Sequence, residues 1–445
     1  MNPLTNEQLW RLAVRTLDDN LRHGRTVPSR SLYPHQWSWD AGFIAVGLAH
    51  YAPERAWSDL RALFSAQWAD GRVPHIVFSR SDNERPYFPG AGFWRTTEVP
   101  GAPPQQPTSG IVQPPVHALA AWEIYRRAAD TTDRQAAADQ LRWFYPRLVA
   151  QQRYLSTRRN ISGDGLACLV HPWESGQDNS PAWDDALSAV PVYPPLTRYR
   201  KDLAVAVASH RPTDADYARY ILIAQRYRSH AYVDDGPGER YPFLVECPGF
   251  NAIMAAAEYA LAEIAEAIGR DPVPHREQAA QLTQALVDRL YDPVTGMFHA
   301  RDLYTGRLSP KRCIGGLLPL ILPELPAEQV KHLLVEASSP RFGLGTEMTM
   351  PLPSYDRCAP DLEPERYWRG PVWVNMNWLL WRGLGQHGYP TLADALRRAT
   401  IDLVRGGGCY EYFHPHTGAG IGTPEFSWTA ALTLDLLAAH GTATA

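Results

Sequence analysis

Four segments rich in Trp, Asp, Glu and Gly stand far apart in the chain and hold most of its chemically useful side chains. They are LYPHQWSWDAGF at residues 32–43, HPWESGQDNSPAWD at 171–184, YWRGPVWVNMNW at 367–378 and EYFHPHTGAGIGTPEFSWTAAL at 411–432. Carboxyl groups are costly to bury unless they are paired, and loops carry many binding and catalytic residues. The four segments are therefore predicted to meet in one cleft.

Asp178 and Glu411 are the candidate reacting groups within these segments. An acetal is cleaved when one carboxylic acid protonates the leaving oxygen and one carboxylate activates water or attacks the sugar. Two carboxyl groups separated by roughly 6.5–9.5 Å leave room for a water molecule between them, and the configuration then inverts. The pair therefore predicts the chemistry of an inverting glycosidase.

Each of the two carboxyl groups also has a structural interpretation. Asp178 precedes a Ser-Pro pair that is typical of a helix N-cap followed by a first-turn proline, so it would serve as a capping residue. A helix N-terminus lowers a carboxyl pKa, and Glu174 or Asp184 would have to oppose that effect in an acid catalyst. Glu411 follows three glycines, 406–408, whose backbone freedom allows a close approach to a ligand. Its structural alternative is a surface ion pair.

Charge and aromatic content narrow the class of ligand. The 43 basic and 47 acidic residues nearly balance, and no basic run matches a phosphate backbone or an anionic membrane surface. Nucleic acid and membranes are therefore not expected partners. The 15 Trp and 21 Tyr exceed the 12 Phe, which suits a pocket that stacks on a small-molecule sugar glycoside. Large helical domains also use Trp as core filler, and composition alone leaves both interpretations open.

The remaining sequence signals concern compartment and cofactors. The first fifteen residues lack a secretory pattern, and no apolar stretch is long enough to span a bilayer. Five widely spaced cysteines without a Cys-x-x-Cys pair predict reduced thiols in a cytoplasm, and a homo-oligomer stays open. His414 and His416 lack a third ligand at a recognisable spacing, so no metal and no cofactor are expected.

Helices must position these loops, because apolar residues recur at helical spacing in about a dozen segments. The segments are 7–21, 40–48, 57–68, 116–128, 135–155, 216–230, 253–268, 279–290, 329–337, 373–384, 392–404 and 428–439. Sustained alternation typical of a β-sheet is lacking. We therefore predict an all-α fold, an (α/α)6 barrel or six-hairpin toroid with long active-site loops, as one catalytic domain over residues 1–445. The proline-containing stretch 190–214 is predicted to be an active-site lid.

At these motifs the chain resembles glycoside hydrolase family 63 and its clan relatives. ESGQDNSP looks like the general-acid segment, which assigns that role to Asp178, and the Glu-Tyr-Phe before Phe-Ser-Trp looks like the general-base segment, which assigns that role to Glu411. Trehalases share a related Glu-Ser-Gly-x-Asp, but the rest of their signature is missing here. Within the family the chain is most similar to the compact bacterial hydrolases of glucosylglycerate and mannosylglycerate, over almost its whole length.

The resemblance implies an (α/α)6 fold, inversion of configuration and a set of substrate-binding residues. Trp37, Trp39 and Asp40 match the motif that holds the sugar, and Tyr367, Trp368 and Trp373 match its aromatic wall. Tyr87, Gln113, Arg211 and Tyr217 match the residues that receive glycerate, and Tyr33, Trp173, Gly176 and Trp428 complete the predicted set. A physical argument also supports Arg211 as a glycerate contact, because a guanidinium binds a carboxylate with two parallel hydrogen bonds.

The identity of the sugar and the class of reaction keep alternatives. Phe426 stands where the glucosylglycerate enzymes carry a glutamine, which leaves mannosylglycerate open. An α-glucosidase acting on a neutral oligosaccharide or a trehalose-like substrate is a further alternative. Helical barrels also host sugar epimerases and isomerases, which would use histidines such as His35, His75 or His117. A sugar-binding protein without turnover would use the same tryptophans.

Overall fold

Each of the twelve helical segments predicted from the sequence contains an α-helix in the computed structural model. The structure describes residues 4–79, 87–129, 134–193, 207–236, 238 and 240–439. The helices are α1 Asn6–Asp19, α2 Ser38–Leu48, α3 Pro53–Phe64, α4 Ala91–Trp94, α5 His117–Ala129, α6 Arg134–Thr157, α7 Asp184–Ser188, α8 Asp214–Ser229, α9 Pro248–Ala267, α10 Val273–Leu290, α11 Ala327–Ala337, α12 Val374–Gln386, α13 Pro390–Gly407 and α14 Ser427–Ala438. The two short helices, α4 and α7, were not predicted.

The strands of the described residues are two residues long and pair antiparallel. They are β1 Leu21–Arg22, β2 Arg25–Thr26, β3 Gln36–Trp37, β4 Ile76–Val77, β5 Cys168–Leu169, β6 Val245–Glu246, β7 Tyr291–Asp292, β8 Met297–Phe298, β9 Arg301–Asp302, β10 Tyr412–Phe413 and β11 Gly420–Ile421. β5, β6 and β9 form a three-stranded sheet, and the other strands pair as β1–β2, β3–β4, β7–β8 and β10–β11. These short strand pairs connect loop segments through backbone hydrogen bonds and do not form the core.

The long helices form two layers, which confirms the predicted (α/α)6 barrel. An inner helix is enclosed on all sides, and every residue of α2 is buried. Neighbours within the inner layer are α2 with α5 and α14, α5 with α9, and α12 with α14. Outer helices bury one face only, as α3 does with Trp57, Leu60 and Phe64. The outer layer comprises α1, α3, α6, α10, α11 and α13.

The sixth position of the inner layer is not occupied by one of the twelve helices predicted from the sequence. It is filled by the buried 3₁₀ turn Leu318–Ile321, which packs between α9 and α12. The count of twelve instead included α8, whose Tyr217 and Tyr220 face a cavity at one end of the barrel. Proline at position 319 lacks the amide hydrogen that an α-helical turn would need, so this short apolar run gives no helical period to detect.

Segments that enter the inner helices carry the predicted site residues. Trp37 is the N-cap residue of α2, Trp373 that of α12 and Phe426 that of α14. Of the predicted lid, residues 194–206 lie outside the described residues, so the lid remains a prediction. In the part of the chain that the structure describes, no helix has the length and apolar character needed to cross a bilayer.

Candidate active site

A cavity of about 590 Å³ opens where the four sequence motifs meet. This volume is within the usual range for small-molecule sites. All of the predicted site residues except Trp368 and Trp373 line it. They are Tyr33, Trp37, Trp39, Asp40, Tyr87, Gln113, Trp173, Gly176, Asp178, Arg211, Tyr217, Tyr367, Glu411 and Trp428. Residues from distant parts of the sequence therefore surround one space.

Glu411 lies directly before β10 and points its carboxylate at the cavity. The hydroxyl of Tyr33 donates to Glu411 Oε1 at 2.8 Å, and the backbone N–H of Thr423 donates to Oε2 at 3.4 Å. Burial raises the pKa of Glu411, while Arg211, Tyr33 and the Thr423 amide hold that rise back. A carboxylate that is more basic than usual suits the role of a general base.

Asp178 is half-buried, and two side chains fix the position of its backbone. Its carbonyl oxygen accepts hydrogen bonds from Tyr220 Oη at 3.0 Å and Trp183 Nε1 at 3.1 Å. Burial raises the pKa of Asp178 to about 7, Arg211 opposes the rise and Glu411 adds to it. A carboxyl group with this pKa is protonated in a large fraction of molecules at neutral pH, which suits a general acid.

The cause of this pKa differs from the sequence-based expectation. Glu174 and Asp184 were expected to oppose a helix N-terminus, but each pairs with an arginine instead. Arg159 Nη1 is 2.8 Å from Glu174 Oε2, and Arg369 Nη1 is 2.8 Å from Asp184 Oδ1. Ser180 caps the following 3₁₀ turn as predicted, through its side chain and the N–H of Ala182. The dominant influence on the Asp178 pKa is therefore burial.

A third carboxyl group, Asp40, sits in the first turn of α2 and lines the same cavity. Burial raises its pKa well above the ordinary value, and Glu411 and Asp178 add to the rise. Carboxyl oxygens form hydrogen bonds with hydroxyl groups. Asp40 is therefore a further group in the cavity that can contact a sugar hydroxyl.

Arg211 brings a positive charge to the cavity. Its Nη1 donates to Tyr33 Oη at 3.1 Å, and its guanidinium carbon lies 4.5 Å from the ring centre of Tyr367. A guanidinium can stack on an aromatic face and bind a planar anion through its N–H groups. Tyr217 and Tyr87, two further predicted glycerate contacts, line the same cavity.

Trp368 and Trp373 were predicted as sugar-contacting walls, and the structure places both behind the lining. Their rings stack with centroids 3.9 Å apart, and both are almost wholly buried. Trp373 Nε1 donates to the carbonyl of Tyr367 at 3.0 Å, and Tyr367 has a strained φ of 37°. The two tryptophans thus hold Tyr367 in place, and Tyr367 forms the cavity wall.

The glycines before Glu411 have a different role from the predicted ligand approach. Positions 406 and 407 belong to α13, and Gly408 ends that helix with φ of 85°. The close approach occurs at Gly422, where an added Cβ would lie 2.6 Å from Glu411 Oε2. The sequence signal marked a helix end rather than a ligand contact.

His75 and Phe426 also line the cavity; His75 was considered from the sequence only as a possible proton carrier, and Phe426 only for the identity of the sugar. His75 lies between β4 and the aromatic motif residue Trp173, on which its ring stacks with centroids 6.4 Å apart. Burial lowers the pKa of His75 to about 3, so its ring is neutral. Phe426 packs against Trp428 with centroids 4.9 Å apart. Both stand in loops without periodicity, and only the tertiary structure brings them to the cavity.

The histidines required by the epimerase alternative do not form a proton relay at this cavity. His35 and His117 do not line it, and His117 bonds instead to Ser38 and Gln151. His75 lines it with a pKa too low for acid catalysis at neutral pH. Two carboxyl groups with raised pKa in an aromatic cavity, carried by a helical barrel, define a glycoside hydrolase.

Comparison with known proteins agrees with this class. Residues 33–429 match the family described as mannosylglycerate hydrolase MGH1-like glycoside hydrolase domain. The mannosylglycerate hydrolase of Rubrobacter radiotolerans is 40% identical over 433 residues, 97% of each chain. The glucosylglycerate hydrolase of Mycolicibacterium hassiacum is 35% identical, over 97% of this chain and 98% of that one. A solved structure of the family 63 mannosylglycerate hydrolase from Thermus thermophilus in complex with Tris superposes with TM-score 0.86 and 37% identity, over 96% and 99% of the two chains.

The chain therefore belongs to the MGH1-like glycoside hydrolase family. It is a glycosidase, and the resemblance to glycoside hydrolase family 63 found in its motifs is confirmed.

Proposed function

We propose that this glycosidase hydrolyses an α-glycoside of glycerate, with mannosylglycerate as its preferred substrate. The observation that carries the proposal is the position of Arg211, a guanidinium in the same cavity as Asp178 and Glu411. A cation at the aglycone end distinguishes a glycerate from a neutral alcohol. The relatives that are mannosylglycerate and glucosylglycerate hydrolases support this substrate class.

In the proposed reaction, Asp178 is the general acid and Glu411 the general base. Protonated Asp178 donates its proton to the glycosidic oxygen as the bond to the anomeric carbon breaks. Glu411 accepts a proton from a water molecule that attacks the opposite face of the sugar, and the product has inverted configuration. The pKa of about 7 for Asp178 keeps the acid available near neutral pH.

The preference for mannose is supported by Phe426, which lines the cavity and which, by the resemblance stated from the sequence, stands where the glucosylglycerate enzymes carry a glutamine. An apolar ring cannot donate or accept a hydrogen bond to a sugar hydroxyl. Glucosylglycerate remains the second candidate, because the Mycolicibacterium hassiacum relative is a glucosylglycerate hydrolase. The ratio of kcat/KM for the two glycosides decides between them.

A proton NMR time course tests the proposed function. Purified enzyme is given mannosylglycerate, glucosylglycerate, trehalose or mannosylglycerol, in which a CH₂OH group replaces the carboxylate. We expect β-mannose as the first product from the α-linked mannosylglycerate, with kcat/KM on the order of 10²-fold above that for mannosylglycerol. First release of the α-anomer would overturn inversion, and faster hydrolysis of trehalose would overturn the substrate class.

We also infer a cytoplasmic location, as predicted from the cysteines. All five cysteines carry free thiols, and four of them are buried. Free thiols persist where the compartment is reducing. Fractionation of the producing cells with detection of the native enzyme checks this inference, and sedimentation of the purified chain measures whether it forms a homo-oligomer.

A further inference from the structure

One chain of hydrogen bonds joins the proposed aglycone end of the cavity to the proposed base. Arg211 Nη1 donates to Tyr33 Oη at 3.1 Å, and Tyr33 Oη donates to Glu411 Oε1 at 2.8 Å. A phenol has one donor and two acceptor positions, and an ionised carboxylate only accepts, so the direction of both bonds is fixed. The Tyr33 hydroxyl thus accepts a hydrogen bond from Arg211 and donates one to Glu411, so it couples the two charged groups.

Tyr367 contacts both Tyr33 and Arg211 in this series of hydrogen bonds. Its hydroxyl lies 3.2 Å from Tyr33 Oη, and its ring lies under the guanidinium of Arg211 at 4.5 Å. Trp373 supports the backbone of Tyr367, as described above. The cation therefore rests on an aromatic platform that also positions the hydroxyl contacting the base.

Cationic and carboxyl side chains are unequal in number around this series of hydrogen bonds. Among the described lining residues, Arg211 is the one with a cationic side chain, whereas Asp40, Asp178 and Glu411 are carboxyl groups. Arg211 lowers the pKa of Asp178 and of Glu411 against the effect of burial. In the described part of the chain, the other titratable groups that face the two carboxyl groups are phenols with a raised pKa, namely Tyr33, Tyr220, Tyr367 and Tyr412.

We propose that the carboxylate of bound glycerate, by pairing with Arg211, loosens the Arg211–Tyr33–Glu411 chain and so sets the protonation of both catalytic carboxyl groups. The inference rests on the proposed function and goes beyond it, because the aglycone then acts on catalysis and not only on binding. A cation that is neutralised by the substrate no longer favours the ionised forms of Asp178 and Glu411. The acid keeps its proton to higher pH, and the base becomes stronger.

The consequence is a specificity that appears in kcat. A neutral aglycone brings no opposing charge to Arg211, so Asp178 loses its proton at lower pH and Glu411 accepts one less readily. Interactions that act only once the substrate is bound and approaching the transition state raise kcat, whereas uniform binding changes KM alone. An anionic aglycone is thus predicted to improve both constants.

The test compares pH profiles of the wild-type enzyme for mannosylglycerate and mannosylglycerol. Profiles of kcat/KM report the free enzyme, so their limbs are expected to coincide for the two substrates. Profiles of kcat report the complex, and both limbs are expected about one pH unit higher for mannosylglycerate. Coinciding kcat limbs would overturn the proposal while leaving the hydrolase assignment intact. Failure to cleave either glycoside would instead remove the proposed function.

A titration of the resting enzyme gives a second readout that needs no turnover. Infrared difference spectra follow the protonated carboxyl bands of Asp178 and Glu411, which are assigned with Asp178→Asn and Glu411→Gln. Saturating glycerate is expected to move both titrations up by about one pH unit in the wild type. In Arg211→Met the shift is expected to vanish, and in Tyr33→Phe it is expected to shrink for Glu411 more than for Asp178. An equal glycerate-induced shift in Arg211→Met, with circular dichroism showing a folded chain, would refute the proposal.

Discussion

The segment 171–184 contributes Glu174 to one cluster of carboxyl groups and Asp178 to another, and the charges of the two clusters are balanced differently. In the first cluster, Arg159 binds Glu174 through both terminal nitrogens, at 2.5 and 2.8 Å, and its Nε lies 3.2 Å from Asp234. Arg72 approaches the same Asp234 at 3.1 Å. In the cavity, by contrast, Arg211 is the one cationic side chain among the described lining residues, which include Asp40, Asp178 and Glu411.

The pKa directions follow from this difference. Burial acts to raise the pKa of Asp234, but Arg159 and Arg72 outweigh it and lower the value. Hydrogen bonds from Tyr154 at 2.6 Å and Tyr227 at 2.7 Å add to the effect. For Asp178 the effect of burial prevails, and the pKa is raised. Burial is therefore common to both clusters, and the ratio of arginines to carboxyl groups separates a structural cluster from a reactive one.

The largest expected effect comes from removing a carboxyl group in the cavity. Glu411→Gln keeps the amide oxygen that accepts from Tyr33 but cannot take a proton from water, and Asp178→Asn cannot donate to the leaving group. We expect kcat/KM to fall by about 10²- to 10⁴-fold in each variant, with the fold retained. Kinetics with mannosylglycerate measure the loss. Full activity in either variant would remove that residue from the proposed mechanism.

The next largest effect is expected on stability rather than on chemistry. It concerns the first cluster, called the balanced cluster because Arg159 and Arg72 offset Glu174 and Asp234. Arg159→Met leaves Glu174 buried with the N–H groups of Val112 and Val170 as its remaining partners. Breaking a buried ion pair costs about 3–5 kcal/mol, which chemical denaturation would detect. The neighbouring Arg158 is exposed, and Arg158→Met is the matched control with an expected change below about 0.5 kcal/mol. Equal stability of the two variants would mean that the cluster contributes nothing.

The two clusters also differ in how far the sequence alone could predict them. Asp178, Glu411 and the cavity aromatics stand in motifs dense in Trp, Gly and carboxylates, and the family resemblance assigns roles to several of them. Arg159 follows α6 and Asp234 follows α8, both in ordinary segments, and only the folded chain brings the two side chains together. A pairing made by tertiary structure leaves no local pattern.

The same distinction explains the outcome for the fold. Apolar residues at helical spacing predicted the twelve long helices, although the outer ones, such as α3, bury one face and the inner ones, such as α2, are buried on all sides. Periodicity could not assign helices to layers, so α8 was counted where the turn Leu318–Ile321 belongs. For the aromatic wall, the motif predicted the right segment, but not that Trp368 and Trp373 lie one layer behind Tyr367. Motifs locate a segment, whereas side-chain direction depends on the assembled core.

A smaller effect concerns stability as a function of pH. Because the pKa of Asp178 rises from about 4 in an unfolded chain to about 7 in the fold, the folded state binds the proton more tightly. Its contribution is present at low pH and is lost as pH rises from about 4 to about 7. Asp178→Asn is therefore expected to exceed the wild type in stability at pH 8 by on the order of 1–4 kcal/mol, and by less at pH 5. Denaturation curves at both values measure the difference, and a gain that is the same at both would contradict the assigned pKa.

The pKa of Asp234 is shifted in the opposite direction, so its contribution to stability changes with pH in the opposite sense. Its lowered pKa gives stability that is present above the unfolded value and is lost as pH falls through the folded value. Acid is thus expected to weaken the balanced cluster and to relieve the cavity carboxyl groups. The two clusters make opposing contributions to the same pH–stability curve.

The smallest effect sharpens the comparison by disturbing one carboxylate without removing it. Gly422 has φ of 78°, and a Cβ there would lie 2.6 Å from Glu411 Oε2 and 2.7 Å from a ring carbon of Tyr412. Gly422→Ala is expected to cost about 1–2 kcal/mol of stability through backbone strain and also to lower kcat about tenfold, because Glu411 must move. Gly163→Ala is the matched control, since Gly163 has φ of 79° with no heavy atom within 4 Å of the added Cβ. It is expected to lose similar stability at unchanged kcat. If both variants kept full kcat, the position of the Glu411 carboxylate would tolerate displacement, and the geometric basis of its role as base would fail.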